Sequence, residues 1–401
     1  MNKLQDSRPL VVAVDDTITR KKGRNIPGVS WRRDPLGPPF STNLVFARRF
    51  LQFSAVAPPE NYCAPSRAIP IGLYHAPTAK KPSKHASDEA WAEYKIQKVT
   101  LGLGQQAVGR IKELREALDK EGESERELIV VVDGGYTNKT VIRNLPENTI
   151  LVGRIRGDAK LNLPPPDKKR TSVGRRLSYG DVLPAPEDIR SSDDYEWKTA
   201  PVYAAGKVHQ MRYKTVPVVL WRNTGANTLL RLVIIAPLSY RLSSKSRLLY
   251  RKPAYLICTG QGLAPEEILN DYVSRWDIEV NFRDEKQIIG FDEPQVRNEV
   301  SSSIAPAFGV ASYSLLLLAA ANVYGVNGLP DDLPPPKWRQ KEQPPRATTT
   351  ELIKTLRFQL WGQGLNNCNF SGFVDMTSCA TNPEKYLPSL PDALFYAQPS
   401  G

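Results

Sequence analysis

Residues 9–16 read PLVVAVDD, and residues 127–133 read ELIVVVD. Each stretch is an unbroken apolar run that ends in aspartate, which is the pattern of a strand buried on both faces. If the two strands are neighbours in one sheet, their terminal carboxylates meet at the edge where α/β folds place their sites. Successive side chains of a strand point to opposite faces, so Asp133 is expected to meet either Asp15 or Asp16, but not both.

The stretches around these two runs predict an α/β fold with a mixed sheet flanked by helices. Strand-like runs lie at 44–56, 68–74 and 150–155, and a helical pattern covers 88–120. Residues 156–260 are rich in strand-like runs, the clearest at 216–221 and 229–235, and they are followed by a long helical segment at 264–289. We therefore expect a β-rich insertion before the last helix of the site.

A polar stripe runs along the segment DYVSRWDIEVNFRDEKQIIG, residues 271–290. On a helix, side chains spaced three and four residues apart share one face. The residues with this spacing are Tyr272, Arg275, Glu279, Arg283 and Lys286. Taken alone, the stripe is equally compatible with a solvated helix in which Glu279 makes routine ion pairs with Arg275 and Arg283.

The charge balance suits a polyanionic partner. The chain has 401 residues and carries 54 Lys and Arg against 42 Asp and Glu, a formal net charge of +12. With four scattered cysteines and three histidines, a metal is expected on carboxylates, which favours Mg²⁺ or Mn²⁺. Lys21 and Lys22, just past the first strand, are expected to contact such a polyanionic partner, most often a nucleic acid.

Two segments bear on location. Residues 304–326 carry no charge, but Pro306, Gly309 and several polar residues interrupt them, so we expect a buried core helix and no membrane partner. Residues 1–9 are polar and mixed in charge, unlike a signal peptide, and a cytoplasmic location is expected.

The stripe resembles a family signature. Tyr272, Arg275, Glu279 and Lys286 match the Tyr-Arg-Glu-Lys pattern of bacterial insertion-sequence DDE transposases of the cut-and-paste type. The segment from Val14 resembles the first-aspartate region of DDE-superfamily endonucleases, and VVDGGY at 131–136 resembles the second. The resemblance covers roughly residues 9–325.

The resemblance implies a ribonuclease-H-like fold and a triad of Asp133, Glu279 and one of Asp15 or Asp16, of which the family's Asp-x-Thr pattern favours Asp15. It implies two Mg²⁺ or Mn²⁺ ions held by Asp15, Asp133 and Glu279. The expected reaction is cleavage at transposon ends followed by strand transfer into target DNA. The expected assembly is a homodimer on double-stranded DNA, associated with the bacterial nucleoid.

The expected domain organisation follows from the same resemblance. The catalytic domain is predicted at 1–155 and 261–326, the β-rich insertion at 156–260, and a Pro-rich linker with a C-terminal segment at 327–401. Two other functions remain open at this point. One is a non-catalytic DNA-binding remnant or repressor derived from a transposase, and the other is a ribonuclease-H-like structure-specific nuclease, such as a junction resolvase.

Overall fold

The structure is a computed structural model. It describes residues 8–23, 25–34, 37–38, 40, 43–57, 63–166, 177–204, 206–225, 228–240, 246–329 and 346–366. The chain divides into two compact units, 1–318 and 319–401. The sheet and the candidate site lie in the first unit. In the second unit, α8 covers Thr349–Asn366, and most of the predicted Pro-rich linker lies outside the described residues.

A central strand organises the first half of the sheet. The strands of this half are β1 (Leu10–Arg20), β2 (Ser30–Arg33), β3 (Leu44–Ala57), β4 (Arg67–His75), β5 (Leu128–Val132) and β6 (Thr149–Ile155). β1 pairs antiparallel with β3 and parallel with β5, which pairs parallel with β6. β3 also pairs antiparallel with β2 and β4. The order β4-β3-β1-β5-β6 is consistent with a ribonuclease-H-like sheet, so the predicted mixed α/β fold is confirmed at this level.

Burial explains why these runs form central strands. Val12, Ala13 and Val14 of β1 are fully buried, and every residue of β5 is buried. Parallel strands covered on both faces need apolar side chains on both faces, which produces unbroken apolar runs in the sequence. The predicted helix at 88–120 is two helices, α1 (Asp88–Thr100) and α2 (Leu103–Lys120), which are separated at Leu101 and Gly102. Glycine in a helix interior is unfavourable, which accounts for the break.

The strand-rich middle of the chain extends the same sheet. Its elements are β7 (Leu161–Asn162), α4 (Pro186–Ser191), β8 (Lys198–Ala204), β9 (Lys207–Trp221), β10 (Leu229–Ile235), β11 (Ser239–Tyr240), β12 (Leu249–Tyr250) and β13 (Ala254–Cys258). The short helix α3 (Lys139–Ile142) lies before β6. β13 pairs antiparallel with β6, and β10, β9 and β7 follow outward. Among the described residues, eleven strands form one continuous sheet.

The long helix predicted at 264–289 is three consecutive pieces. They are α5 (Pro265–Ser274), α6 (Trp276–Asp284) and a π-helix (Glu285–Ile289), with Arg275 at the junction of the first two. Gly290 ends the π-helix in the left-handed conformation, at a φ of 71°. Ile278 of α6 packs with Ala13 of β1, so α6 covers the face of β1 that carries Ala13.

The apolar helix α7 (Glu299–Tyr324) is less buried than its composition predicts. It is the one helix among the described residues that is long and apolar enough to span a membrane, judged by length and composition. Only 22 % of its most apolar 18-residue stretch is buried. Four large apolar side chains are exposed, which are Val300, Ile304, Phe308 and Leu315. The prediction of a buried core helix is therefore wrong for most of this apolar stretch of α7.

Candidate active site at the ends of two parallel strands

Asp15 and Asp133 lie side by side at the ends of neighbouring strands. Val14 of β1 is paired in parallel register with Val132 of β5, so the residues that follow them stand next to each other. Strand alternation places Asp15 on the face of Ala13, the face that α6 covers. The two carboxylates are close enough for the charge of Asp133 to raise the pKa of Asp15.

Asp16 points to the opposite face and has partners of its own. The hydroxyl of Tyr136 donates a hydrogen bond to Oδ1 of Asp16 at 2.8 Å, and Nε of Arg49 lies 3.1 Å from Oδ2. Tyr136 is buried and belongs to the core beneath that face. Asp16 is therefore held as part of the packing between β1, β3 and the turn after β5.

Arg275 joins Asp15 to Glu279. Its Nη1 lies 3.1 Å from Oδ2 of Asp15, and its Nη2 lies 3.1 Å from Oε1 of Glu279. The guanidinium is nearly buried, and the ring of Tyr272 stands 6.0 Å from it. The structure thus gathers Asp15, Asp133, Glu279 and two residues of the polar stripe, Arg275 and Tyr272, at one place.

The electrostatics of Asp15 fit a site that binds cations. The pKa of its carboxyl is raised to about 7, mainly by burial, and repulsion from Asp133 and Asp16 acts in the same direction. The guanidinium of Arg275 and a hydrogen bond from the backbone N–H of Asp16 act in the opposite direction. A buried carboxylate beside another carboxylate gains more from a bound cation than an exposed one does.

The turn after β5 fixes Asp133. The backbone N–H of Gly135 donates to Oδ1 of Asp133 at 2.8 Å, and the hydroxyl of Thr137 donates to the Asp133 carbonyl at 2.7 Å. The side-chain oxygen of Asn138 then caps α3 by accepting hydrogen bonds from the backbone N–H groups of Thr140 and Val141.

Gly153 of β6 leaves the room that this turn needs. A Cβ at position 153 would lie 2.2 Å from Oγ1 of Thr137 and 3.0 Å from a methyl of Val132. Overpacking a buried site costs about 1–3 kcal/mol, so we expect Gly153→Ala to lower the free energy of unfolding by that amount. Urea unfolding measures the change.

Gly109 of α2 provides the matched control, since nothing lies within 4 Å of a Cβ built there. Gly109→Ala is expected to stabilise the protein by about 0.5–1 kcal/mol, because glycine is unfavourable inside a helix. A Gly153→Ala protein as stable as the wild type would contradict the tight packing against Thr137.

The remaining predicted residues stand in other surroundings. Arg283 pairs with Asp284 at 2.8 Å, and not with Glu279 as the helical spacing suggests. Lys286 lies in the π-helix, where partial burial lowers its pKa. Lys21 donates to the carbonyls of Asp292 and Pro294 at 2.8 and 3.4 Å. Lys22 is exposed in the loop after β1.

A buried polar cluster lies beside the site and was not identified from the sequence. Gln52 of β3, paired opposite Asp15, donates to Oε1 of Glu285 at 2.8 Å. Asn281 donates to Ser54 at 3.2 Å. Gln52 and Ser54 share one face of β3 and interrupt residues 50–57, which are otherwise apolar; this interruption at a period of two was the available signal.

Glu285 gives a prediction on stability. Burial raises its pKa to about 8 from an ordinary 4.5. Between these values the folded protein holds a proton that the unfolded chain releases, so the free energy of unfolding falls as pH rises from 4.5 to about 8. Glu285→Gln should abolish this contribution, and the variant should be more stable than the wild type near pH 8 by at least the ~1.4 kcal/mol that one pKa unit represents.

The measurement is urea unfolding of both proteins across that pH range. Glu293→Gln, at an exposed position, is the control and should follow the wild type throughout. Parallel pH profiles for Glu285→Gln and the wild type would show that Glu285 ionises normally in the fold.

The donor chemistry of the site fits a divalent cation, because Asp15, Asp133 and Glu279 offer the carboxylate oxygens that Mg²⁺ and Mn²⁺ prefer. In the described parts of the chain, however, no group of three or more His, Cys, Asp or Glu stands close enough to hold an ion. Arg275 occupies the space between Asp15 and Glu279. The three carboxylates are therefore of the type that binds a divalent metal, but the spacing of Asp15 and Glu279 in this structure matches the guanidinium that lies between them.

An open groove of about 1280 Å³ begins beside Asp133, at Gly134. Its lining includes basic and aromatic side chains, which are Arg154, Arg156, Lys160, Arg222, Trp221 and Tyr255. Two acidic lining residues have basic partners, since Asp158 pairs with Arg156 and Glu187 with Arg190. Trp221 and Arg222 were not among the predicted site residues.

The fold and site together define the class. A ribonuclease-H-like sheet order, with carboxylates on two neighbouring parallel strands beside a helix that carries a third, is the arrangement of a DDE-type nuclease. A family model described as DDE superfamily endonuclease matches residues 1–227 of the 401. The chain belongs to this family. A comparison with curated proteins finds no match.

The family match supports the broader part of the resemblance seen in the sequence. It supports a DDE-type transposase superfamily, whose members use divalent metals and act on DNA. The matched residues include Asp15 and Asp133 and end before Glu279. The insertion-sequence origin and the Tyr-Arg-Glu-Lys signature stay predictions.

Proposed function

We propose that the protein is a DNA transposase core that cleaves phosphodiester bonds at transposon ends and transfers the freed strand into target DNA, with a divalent metal as cofactor. The observation that carries the proposal is the convergence of three acids that lie far apart in the chain. Asp133 adjoins Asp15 through strand register, and Arg275 links Asp15 to Glu279.

Each residue has a role in this proposal. Asp15, Asp133 and Glu279 hold two Mg²⁺ or Mn²⁺ ions, which when bound activate the attacking oxygen and neutralise charge on the phosphate. Asp16 is not a ligand in this assignment, because its oxygens bind Tyr136 and Arg49.

The proposed reaction has two displacements at phosphorus. In the first, the oxygen of water bonds to phosphorus, the bond to the 3′ oxygen breaks, and that oxygen takes a proton to become a 3′-hydroxyl. In the second, this hydroxyl attacks a phosphodiester of the target strand. It loses its proton, and the displaced 3′ oxygen of the target gains one from solvent.

DNA contacts are assigned to the basic and aromatic residues around the acids. Tyr272, Arg275, Arg283 and Lys286 belong to the polar stripe, and the exposed Lys22 follows β1. The groove beside Gly134 offers further cations and two aromatic rings for a strand that leaves the site. Lys21 is a weaker candidate, since its ammonium already binds two backbone carbonyls.

The larger organisation is part of the same proposal. Strands β7–β13 correspond in position to a β-rich insertion between the second aspartate and the glutamate, since they lie between Asp133 and Glu279. We also propose that the protein acts as a homodimer on DNA in the bacterial cytoplasm, because two transposon ends must be held together.

The test is a cleavage and joining assay on a DNA fragment that carries both flanks of the coding sequence, together with a target plasmid. The expected result is cut ends and joined products in Mg²⁺ or Mn²⁺, and neither in EDTA. Cut ends without joining would favour a structure-specific nuclease. Binding without cutting would favour a non-catalytic remnant or repressor.

A further inference from the structure

One guanidinium holds two of the proposed metal ligands. Arg275 reaches Asp15 with Nη1 and Glu279 with Nη2, each at 3.1 Å. The pair with Asp15 joins residues that are 260 positions apart in the chain, so it fixes the start of α6 against β1. The side chain is nearly buried, so the two pairs lie in a poorly hydrated place.

A divalent ion and Arg275 cannot share these oxygens as they stand. Oδ2 of Asp15 faces the guanidinium, and Oδ1 accepts from the backbone N–H of Asp16 at 2.8 Å. A metal that binds Asp15 and Glu279 together needs the space that the guanidinium occupies, and the two cations would repel each other. The lack of a three-acid metal cluster among the described residues agrees with this reading.

The displaced side chain needs another anion. Its Nε is buried without a hydrogen-bond partner, so the guanidinium is not fully satisfied where it lies. The donor fork of arginine matches a phosphate oxygen pair as well as it matches a carboxylate. In a protein that cuts DNA, a backbone phosphate of the bound DNA is the anion available beside the site.

We propose, resting on the function proposed above, that Arg275 is a built-in counter-ion which divalent metal displaces from Asp15 and Glu279 onto a DNA phosphate. Arg275 is a positioning residue in the free protein, because it keeps the ligands together before metal arrives. Metal binding and DNA binding then strengthen each other, since each favours the displaced arginine. By linkage, the two effects must be equal in size.

The first test is the affinity of the full chain for Mn²⁺ without DNA, measured by calorimetry and by the EPR signal of free Mn²⁺. Arg275→Gln removes the competing cation and is expected to bind Mn²⁺ at least ~5-fold more tightly than the wild type. Arg49→Gln is the matched control, because Arg49 lies at the same 3.1 Å from an aspartate of the same strand, Asp16. Its Mn²⁺ affinity should stay near that of the wild type.

Arg275→Lys keeps the charge but cannot span both carboxylates, so its Mn²⁺ affinity should fall between the wild type and Arg275→Gln. Thermal unfolding of each variant checks that it is folded. If Arg275→Gln unfolds, Arg275→Lys carries the test. An affinity in these variants that is equal to or weaker than that of the wild type would overturn the proposal.

The second test adds a short DNA duplex at saturation. In the wild type, DNA should raise Mn²⁺ affinity by about as much as Arg275→Gln does alone, and in Arg275→Gln it should add little. The variant should also bind DNA with a flatter salt dependence. An equal effect of DNA in both proteins would contradict the displacement.

The two proposals can fail separately. If Asp15→Asn abolishes Mn²⁺ binding while Arg275→Gln leaves it unchanged, the metal site stands and the counter-ion role is refuted. If Arg49→Gln, and not Arg275→Gln, tightens Mn²⁺ binding, the ligand is Asp16. If no form of the protein binds Mn²⁺, both proposals fall.

Discussion

Glu279→Gln is expected to leave DNA binding near the wild-type level and to abolish cleavage. Glu279 lies on α6 with Oε1 3.1 Å from Nη2 of Arg275, and its side chain is 35 % exposed. Glutamine keeps the size and an oxygen that can accept from the guanidinium. It loses the negative charge with which a carboxylate ligand binds a divalent ion.

The measurement pairs a gel-shift titration with a cleavage time course. The loss in cleavage rate should exceed the ~100-fold typical of residues that only support a metal ligand. Asp277→Asn on the same helix is the control, because the Asp277 carboxylate accepts a hydrogen bond from Ser66 and is not one of the three proposed metal ligands. Cleavage at the wild-type rate by Glu279→Gln would remove Glu279 from the triad.

Asp15→Asn and Asp16→Asn should separate the two neighbouring aspartates. Asp15→Asn is expected to lose cleavage as fully as Glu279→Gln. Asp16→Asn is expected to remain active but less stable by about 1–3 kcal/mol, because Arg49 loses the charge of its partner in a partly buried place.

Cleavage rates and urea unfolding of both variants decide between the assignments. The opposite pattern, with Asp16→Asn inactive and Asp15→Asn active, would move the site to the other face of β1. Full activity of both would mean that β1 supplies no catalytic acid.

The sequence predicts the centre of the sheet well, for a physical reason. Strands covered on both faces must be apolar throughout, and so the runs that end at Asp15 and Asp133 are visible without any knowledge of their neighbours. Their adjacency is a guess from fold class that the parallel register supports.

The acidic helix is predicted less well. Helical spacing puts Arg283 beside Glu279, yet Arg283 pairs with Asp284. The break at Arg275 and the π-helix that follows change the pattern of neighbours, and a fixed period of 3.6 residues cannot anticipate them.

Two other features depend on distant partners. The hydrogen-bond partner of the buried Glu285 is Gln52, which is 233 positions away, and no local pattern contains that information. The apolar composition of α7 suggests the interior, but composition alone does not say which of its side chains other elements cover.

The pairing of β6 with β13 limits how far the protein can be shortened. β6 has β5 on one side and β13 on the other, so its backbone groups are paired along both edges. Deleting residues 156–260 would remove β13 and leave one edge of β6 unpaired. The free N–H and C=O groups of that edge can form hydrogen bonds with other chains, which leads to aggregation. A fragment shortened in this way should precipitate, even though Asp15, Asp133 and Glu279 would all still be present.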